Sequence, residues 1–376
     1  MQPSHKTTRR IFLFLLPFTL FLAAGCRKST TPVVTPPPQP IGTDTTSHHF
    51  VWRIDTLGAG PNYSSLWDVA IIDENDVWVV GEIMMEDSYE LDSLGNVIQP
   101  YNAAHWDGNE WELKRIFYFN YGQLNLIKPI RGILPQNNQE FWLAAGSIFY
   151  WNGGVASLSY LRNINTAEAV EKIWGDDQLY GAGTAGILVA YNGADWQELP
   201  TNTDRALTDI WGEEVNPGEP VLYATVSTEN NDTDSKILKI ENNTVTEVSS
   251  EGLPKDISGI WFDSDAGYYV VGDGIFYTPV LNDTSHWGEL VPDITGYYTE
   301  AIAANNGKDI FIVGDFGTLI HFNGKSWKNF TDTNLPQFNG VLCSVDFRDD
   351  LVVAVGDLSV GGIPRAVIVM GTRVHL

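Results

Sequence analysis

Residues 309–330 read DIFIVGDFGTLIHFNGKSWKNF and contain three short segments separated by glycine-containing turns. The first segment, IFIV, is apolar at every position, which is typical of a strand buried on both faces. Asn323-Gly324 is a preferred centre of a two-residue hairpin turn, because both positions need a positive φ that these residues adopt at low cost. We therefore predict a buried strand, a second strand and a hairpin turn into a third strand near Trp327.

The buried-strand pattern occurs seven times after residue 50. Its copies are DVWVVGE, EFWLAAGS, QLYGAGT, VLYATV, GYYVVGD, DIFIVGD and LVVAVGD, which end at Glu82, Ser147, Thr184, Val226, Asp273, Asp315 and Asp357. The last three copies are 42 residues apart. A strand-like segment precedes each copy and a hairpin that closes on tryptophan follows several, so each repeat holds four strands, A to D. Four-stranded repeats of this length predict an all-β, seven-bladed β-propeller.

The two ends of the repeat region predict how the ring closes. The last repeat supplies strands A, B and C but no D, while FVWRIDTL, residues 50–57, precedes the first repeat. We predict that strand 50–57 completes the seventh blade and removes an open sheet edge. An open solenoid is the alternative, but solenoids need capping units, and no repeat has the features of one.

The N-terminal segment has the plan of an export signal: HKTTRR, a long apolar run and LAAGC, which ends at Cys26. This ending resembles a bacterial lipobox, which implies a signal peptide 1–25 and a lipid on Cys26. Residues 26–49 are rich in Pro, Thr and Ser and predict a tether to the folded domain 50–376. We expect the outer membrane of a bacterial envelope, because Arg27 replaces the Asp that keeps some lipoproteins at the inner membrane. An ordinary cleaved signal or a short membrane anchor is the alternative.

The composition sets the sign of the surface charge. The chain has 22 basic and 47 acidic residues and a formal net charge of −25, which becomes −28 without the three basic residues of segment 1–25. Such a surface repels nucleic acid and anionic headgroups, so we expect a neutral or cationic partner and no nucleic acid. Cys343 is the one cysteine besides Cys26, which leaves no disulfide once Cys26 carries a lipid.

Three recurring motifs resemble the propellers of the BNR or Asp-box group: Ile-Trp in strand A, Val-Gly-Asp-x-Gly after strand B, and Phe-Asn-Gly-x-x-Trp at the hairpin. The resemblance is to the subgroup that contains the photosystem II assembly factor, whose bacterial lipoprotein relatives are often labelled glucosyltransferases. It covers roughly residues 50–376 and implies a fold rather than an activity. Of the Asp box only the glycine and tryptophan remain, as in Gly324 and Trp327, and the arginine signature of sialidases is absent. Sialidase chemistry is therefore not implied.

Two phosphate-binding motifs are incomplete. Gly181–Gly186 matches Gly-x-Gly-x-x-Gly, but a strand that runs into a hairpin turn follows it instead of the required helix. Gly324-Lys325-Ser326 would need a glycine at position 319, which is Leu319. We therefore predict no cofactor. The pair Asp232 and Asp234 fits either a weak calcium site or a solvated polar loop.

The residue after strand B is acidic in four repeats: Glu82, Asp273, Asp315 and Asp357. These repeats become neighbours once the ring closes, so we predict an acidic arc on the face that carries the turns from B to C. The alternative is that each acid hydrogen-bonds its own turn.

Blade one carries extra residues on the same face, Ile83–Ala104, and the connection Phe117–Gln123 follows shortly after. Because loops on a rigid scaffold often hold binding residues, we predict further contacts there. The candidates are Met84, Met85, Tyr89, Tyr101, Tyr118 and Tyr121. A plain surface insertion is the alternative.

The sequence holds no recognisable catalytic constellation, and no catalytic residue is assigned. We expect a lipid-anchored, monomeric binding or assembly module that presents this face to a protein, a peptide or a glycan. The alternative is a carbohydrate-active enzyme, a glycoside hydrolase or a transferase, with carboxylates at the channel mouth as acid and base. Two carboxylates about 5–10 Å apart in an aromatic cleft would favour the enzyme.

Overall fold

The computed structural model describes residues 45–159, 169–175, 178–216, 218–227, 235–331 and 338–375. The signal segment 1–25, Cys26, the first part of the tether, Asp232 and Asp234 lie outside these residues. Within the described ranges, no helix is long and apolar enough to cross a membrane.

Strands dominate the described residues. In chain order they are β1 (Phe50–Leu57), β2 (Ser65–Asp73), β3 (Asp76–Ile83), β4 (Tyr101–Trp106), β5 (Trp111–Lys114), β6 (Phe117–Asn120), β7 (Gln123–Leu126), β8 (Gly132–Pro135), β9 (Phe141–Ala145), β10 (Ser147–Trp151), β11 (Ser157–Ser159), β12 (Val170–Gly175), β13 (Leu179–Gly183), β14 (Leu188–Tyr191), β15 (Trp196–Glu198), β16 (Leu207–Asn216), β17 (Glu219–Val226), β18 (Lys236–Glu241), β19 (Thr244–Val248), β20 (Ile257–Asp263), β21 (Gly267–Gly272), β22 (Gly274–Thr278), β23 (Gly288–Glu289), β24 (Thr299–Asn306), β25 (Asp309–Gly314), β26 (Thr318–Phe322), β27 (Trp327–Asn329), β28 (Gly340–Arg348), β29 (Leu351–Val360) and β30 (Ile363–Arg373). One turn of 3-10 helix, Thr184–Gly186, lies between β13 and β14, where the Gly-x-Gly-x-x-Gly motif falls.

The strands form seven four-stranded antiparallel blades, as the repeats predict. The blades are β2–β5, β8–β11, β12–β15, β16–β19, β20–β23, β24–β27 and β28–β30 with β1. The A strands of neighbouring blades contact one another around the central channel. The B strand of blade six, β25, is buried along its whole length because a blade packs on each side of it. The seven-bladed β-propeller is therefore confirmed.

Strand β1 closes the ring. It pairs antiparallel with β30 along its full length, from Phe50 opposite Arg373 to Leu57 opposite Ala366. Phe50 and Trp52 also pack on the apolar cluster between blades six and seven. The prediction that strand 50–57 completes the seventh blade is confirmed, and the open solenoid is excluded.

The A strands carry an extra residue near their first position. In six blades the register between A and B shifts there, which is the mark of a β-bulge. The inserted residues are Trp67, Glu171, Thr208, Ser258, Glu300 and Cys343. All of these residues except Trp67 line the central channel.

The up-and-down order of strands defines two faces. Because A begins where B ends, the turns from B to C and the connections from D to the next A share one face, which we call the B–C face. Residues 84–100 and the hairpin β6–β7 both lie on it. The turns from A to B and from C to D form the opposite face, called the C–D face, which includes Asn323-Gly324.

Candidate functional site

The four predicted acids lie on the B–C face of adjacent blades. Glu82 belongs to blade one, Asp273 to blade five, Asp315 to blade six and Asp357 to blade seven, at or next to the ends of their B strands. Blades seven and one are neighbours through the contacts of β28 with β2. Blades five, six, seven and one follow one another in the ring, so the four positions lie in sequence along the B–C face.

Two of the four carboxylates have hydrogen-bond partners among the described residues: Asp357 bonds the start of the next blade, and Glu82 bonds the B-to-C connection of its own blade. Asp357 Oδ2 accepts hydrogen bonds from the hydroxyls of Tyr63, at 3.1 Å, and Ser65, at 3.3 Å, both from the start of blade one. Glu82 Oε1 accepts one from the Tyr89 hydroxyl at 3.2 Å. In the turn after β25, the main-chain carbonyl of Asp315, and not its carboxylate, accepts a hydrogen bond from the Thr318 hydroxyl. Asp357 thus links blades seven and one, whereas the bond of Glu82 stays within blade one.

Glu300 adds a fifth acid that the sequence did not point to. It is the bulge residue of β24, just inside the channel mouth. Burial and the nearby Asp315 raise the pKa of Glu300 to about 7, against the opposing effect of Lys172. Burial also raises the pKa of Asp315. At neutral pH this end of the channel therefore holds closely spaced carboxyl groups that a cation would stabilise.

The channel below the mouth is lined by carboxylates that join blades. Asp68 Oδ2 accepts the Ile133 N–H at 2.9 Å, and Asp209 Oδ2 accepts the Ile260 N–H at 3.0 Å. Asp346 forms the same kind of bond between blades seven and one. Each carboxylate satisfies a main-chain donor of the next inner strand, so these acids hold the ring together.

One cation lies among the channel acids. Burial opposes the charge of Lys172, but Asp68 and Asp209 raise the pKa of its ammonium group above the ordinary value. The surrounding cavity has a volume of about 530 Å³. Cys343 lies at its upper end, where burial, Glu300 and Asp357 raise the pKa of the thiol to about 12. A thiol in this state is neutral and a poor nucleophile. Among the described residues, no group of three or more His, Cys, Asp or Glu side chains is placed to hold a metal ion.

Exposed aromatic side chains accompany the acidic arc. Tyr297 and Phe316 form a pair with ring centroids 4.7 Å apart, and both are about half exposed. Phe316 follows Asp315 in the turn and has a positive φ of 54°, an uncommon conformation for a bulky residue. Tyr63 is also exposed beside Asp357. The B–C face therefore combines carboxylates with accessible aromatic surface.

The structure separates the six further candidates by exposure. Tyr89 and Tyr121 are exposed, and Tyr121, 97% accessible, lies at the tip of hairpin β6–β7. Tyr101 is covered by the Arg115 guanidinium at 3.7 Å, and Tyr118 packs on Phe149 at 4.9 Å. Met84 is buried, and Met85 is half-buried. The exposed part of this set is thus aromatic.

The fold and this face define a closed seven-bladed propeller with an acidic, aromatic mouth. No known family profile matches the chain, and no curated protein matches it in sequence. Among solved structures, YCF48 bound to D1 peptide is similar with a TM-score of 0.60 and 14% identity, over 88% of this chain and 99% of that one. YCF48 from Cyanidioschyzon merolae is similar with a TM-score of 0.56 and 15% identity, over 86% and 98%. Chaetomium thermophilum Sqt1 bound to the N-terminus of the ribosomal protein L10 has a TM-score of 0.50 and 12% identity, over 86% and 100%. These likenesses support the expected resemblance to photosystem II assembly factor propellers at the level of the fold.

Proposed function

We propose that the chain is a non-catalytic binding or assembly module whose B–C face holds a cationic segment of a protein or peptide. The observation that carries the proposal is the arc of Glu82, Asp315 and Asp357 with exposed aromatic rings beside it. A Lys or Arg side chain would meet both carboxylates and ring faces there. The net charge of −25 favours the same class of partner.

Peptide partners occur on structurally similar propellers. YCF48 is described bound to D1 peptide and Sqt1 to the N-terminus of the ribosomal protein L10. The low identities carry no binding residue over to this chain. The two peptide-bound structures support a peptide or protein partner in preference to a glycan.

We also propose that Cys26 carries a lipid and that the module is held at the outer membrane of a bacterial envelope. The export-type segment 1–25 and the polar tether support this anchoring. The described end of the tether lies on the C–D face: the Thr46 hydroxyl donates to Asp309 Oδ1 at 2.9 Å, and the Thr46 N–H donates to Asn323 O at 3.2 Å.

The test is a crosslinking pull-down from the native envelope. Wild type should capture a basic protein, and Glu82→Ala combined with Asp315→Ala should lose it. Lys325→Ala is the matched control, because Lys325 is exposed on the opposite face. Unchanged capture by the double variant would contradict the acidic face as the binding site.

One observation favours the alternative, a carbohydrate-active enzyme. Glu300 has a raised pKa beside Asp315, and glycoside hydrolases need one carboxyl that keeps its proton near neutral pH. Release of reducing sugar from envelope polysaccharide, abolished in Glu300→Gln, would support the enzyme. Absence of release with intact partner capture would support the module.

A further inference from the structure

Exposed apolar side chains are concentrated on two hairpins of the B–C face. Of the 15 large apolar side chains that are exposed in the described residues, seven belong to residues 89–98 and 117–126. They are Tyr89, Leu91, Leu94, Val97, Phe119, Tyr121 and Leu124. Because soluble proteins rarely cluster apolar surface without a use, this concentration indicates a contact surface. We call the two hairpins together the ledge.

The second hairpin, β6–β7, projects from a fixed base. Asn102 is buried, and its side-chain amide nitrogen donates to Ile116 O at 3.0 Å and to Ile127 O at 2.6 Å. Its side-chain oxygen accepts the Ile116 N–H at 2.8 Å, and the Ile127 N–H donates to Ile116 O. These bonds clamp the residues on either side of the hairpin, so its tip is held in a defined direction.

The first hairpin is ordered by its own bonds. The Tyr89 N–H donates to Ile98 O at 2.7 Å, and Asp92 Oδ1 accepts the N–H groups of Leu94 and Asn96 at 2.8 Å each. The ammonium group of Lys128, two residues after β7, lies 5.2 Å from the Tyr89 ring. The two hairpins are therefore neighbours on one surface.

The ledge also has an open strand edge. On one side the Phe117 carbonyl accepts the Ala156 N–H at 2.7 Å, so the β6 edge is occupied. Strand β7 pairs with no described strand except β6. In this two-residue hairpin Asn120 and Gln123 form the closing hydrogen-bonded pair, so the next pair, Phe119 and Leu124, directs its main-chain groups outward. The Leu124 N–H and carbonyl are thus available to an added strand.

The charges around the ledge select the sign of an occupant. Residues 84–100 contain four acids and no Lys or Arg, and residues 117–126 have no charged side chain. The nearest cations are engaged with rings: Arg115 lies over Tyr101 and Lys128 over Tyr89. The ledge is therefore an apolar surface with an acidic border.

We propose that an extended, amphipathic segment with alternating basic and apolar residues docks on the ledge and adds a strand to β7. Main-chain bonds to Leu124 supply the pairing, apolar side chains cover Phe119 and Leu124, and basic side chains face the acids of residues 84–100. The proposal rests on the proposed function, because it specifies how a cationic partner segment binds.

The probe for this site is a fluorescent ten-residue peptide of alternating lysine and valine, with a glutamate–valine peptide as its charge control. We expect the lysine peptide to bind the wild-type protein in fluorescence anisotropy and the glutamate peptide not to bind. Leu124→Pro removes the outward N–H while keeping the pairing with β6, and it should weaken binding by about fivefold or more. Leu124→Ala keeps the N–H and should weaken binding less. Glu90 is exposed, and Glu90→Lys should weaken binding of the lysine peptide and strengthen binding of the glutamate peptide.

Three outcomes would overturn the ledge. The first is that the lysine peptide does not bind the wild-type protein at millimolar concentration. The second is that wild type and Leu124→Pro bind the lysine peptide equally well. The third is that the wild-type protein binds the lysine and glutamate peptides equally well. Thermal unfolding of each variant checks that the propeller is intact. If lysine-peptide binding is lost only in Asp315→Asn, the peptide occupies the channel mouth, so the ledge fails while the proposed function stands. The proposed function itself is contradicted only by unchanged capture of the partner by the double variant in the envelope pull-down.

Discussion

Gly371 has no side chain, and this leaves room for the Trp52 ring of the closing strand β1. It lies opposite Trp52 in the pairing of β30 with β1, and a Cβ on it would collide with the indole ring. We expect Gly371→Ala to lower the free energy of unfolding by about 1–3 kcal/mol, because the ring must leave a packed cluster. Gly296→Ala is the control, since a Cβ there meets nothing within 4 Å. Denaturant unfolding that shifts equally in both variants would contradict this role.

Glu300 gives the stability a pH dependence of known sign. Its pKa is about 7 in the folded chain and near 4.5 when unfolded, so between these values the folded state binds the extra proton. Stability from this group is therefore lost as pH rises from about 4.5 to 7 and above. Glu300→Gln should raise the free energy of unfolding at pH 8 by on the order of 1 kcal/mol, a value reduced for solvent screening of the charge, and should change it little at pH 4.5. The melting temperatures of the variant and the wild type at both pH values test this prediction. A larger gain in melting temperature at pH 4.5 than at pH 8 would contradict it.

At the scale of an element, the segment before β1 docks through histidines. His48 Nδ1 lies 2.8 Å from His321 Nδ1, and His321 Nε2 lies 2.9 Å from Asp309 Oδ1. Arg373 also donates to Asp309, and Lys328 lies on the same side. Two facing ring nitrogens can share only one proton, so both rings cannot be charged in this arrangement.

The docking of this segment should therefore weaken in acid. Burial, His321 and Lys328 lower the pKa of His48 to about 4, and burial lowers the pKa of His321 against the attraction of Asp309. As pH falls from about 6.5 to 4, the unfolded chain binds more protons than the folded one, so stability falls. We expect His48→Ala to destabilise by about 1 kcal/mol at pH 7 and by less at pH 4.5. Hydrogen exchange of residues 46–49 measures the docking, and equal effects at both pH values would contradict it.

The repeated B strands made the blades predictable, because burial on both faces leaves a run such as Ile310–Val313 with no polar position. The bulge in strand A was not predictable: Glu300 and Cys343 look like ordinary strand residues until the register shift is seen. The hairpin β6–β7 was expected only as a connection, since its two strands are four residues each. Contacts between distant residues, such as His48 with His321, leave no local pattern in the sequence.

At the scale of the whole ring, the described residues before β1 and the predicted binding surface lie on opposite faces. The chain enters at Thr46 on the C–D face, runs through β1 across the full height of blade seven and reaches the B–C face at Leu57. A single strand therefore connects the C–D face to the acidic arc on the B–C face. It also makes closure of the ring depend on the residues nearest the tether.

That dependence can be tested by supplying the strand separately. A chain that begins at residue 58 leaves the β30 edge open and exposes the cluster that Phe50 and Trp52 cover. We expect it to melt several degrees below the full chain and to self-associate through the edge. A synthetic peptide of residues 45–58 should restore both the melting temperature and the monomer, whereas the same peptide with Phe50→Ala and Trp52→Ala should not. If the shortened chain melted like the full one, β1 would be an accessory strand and the ring would be closed by contacts among the inner strands alone.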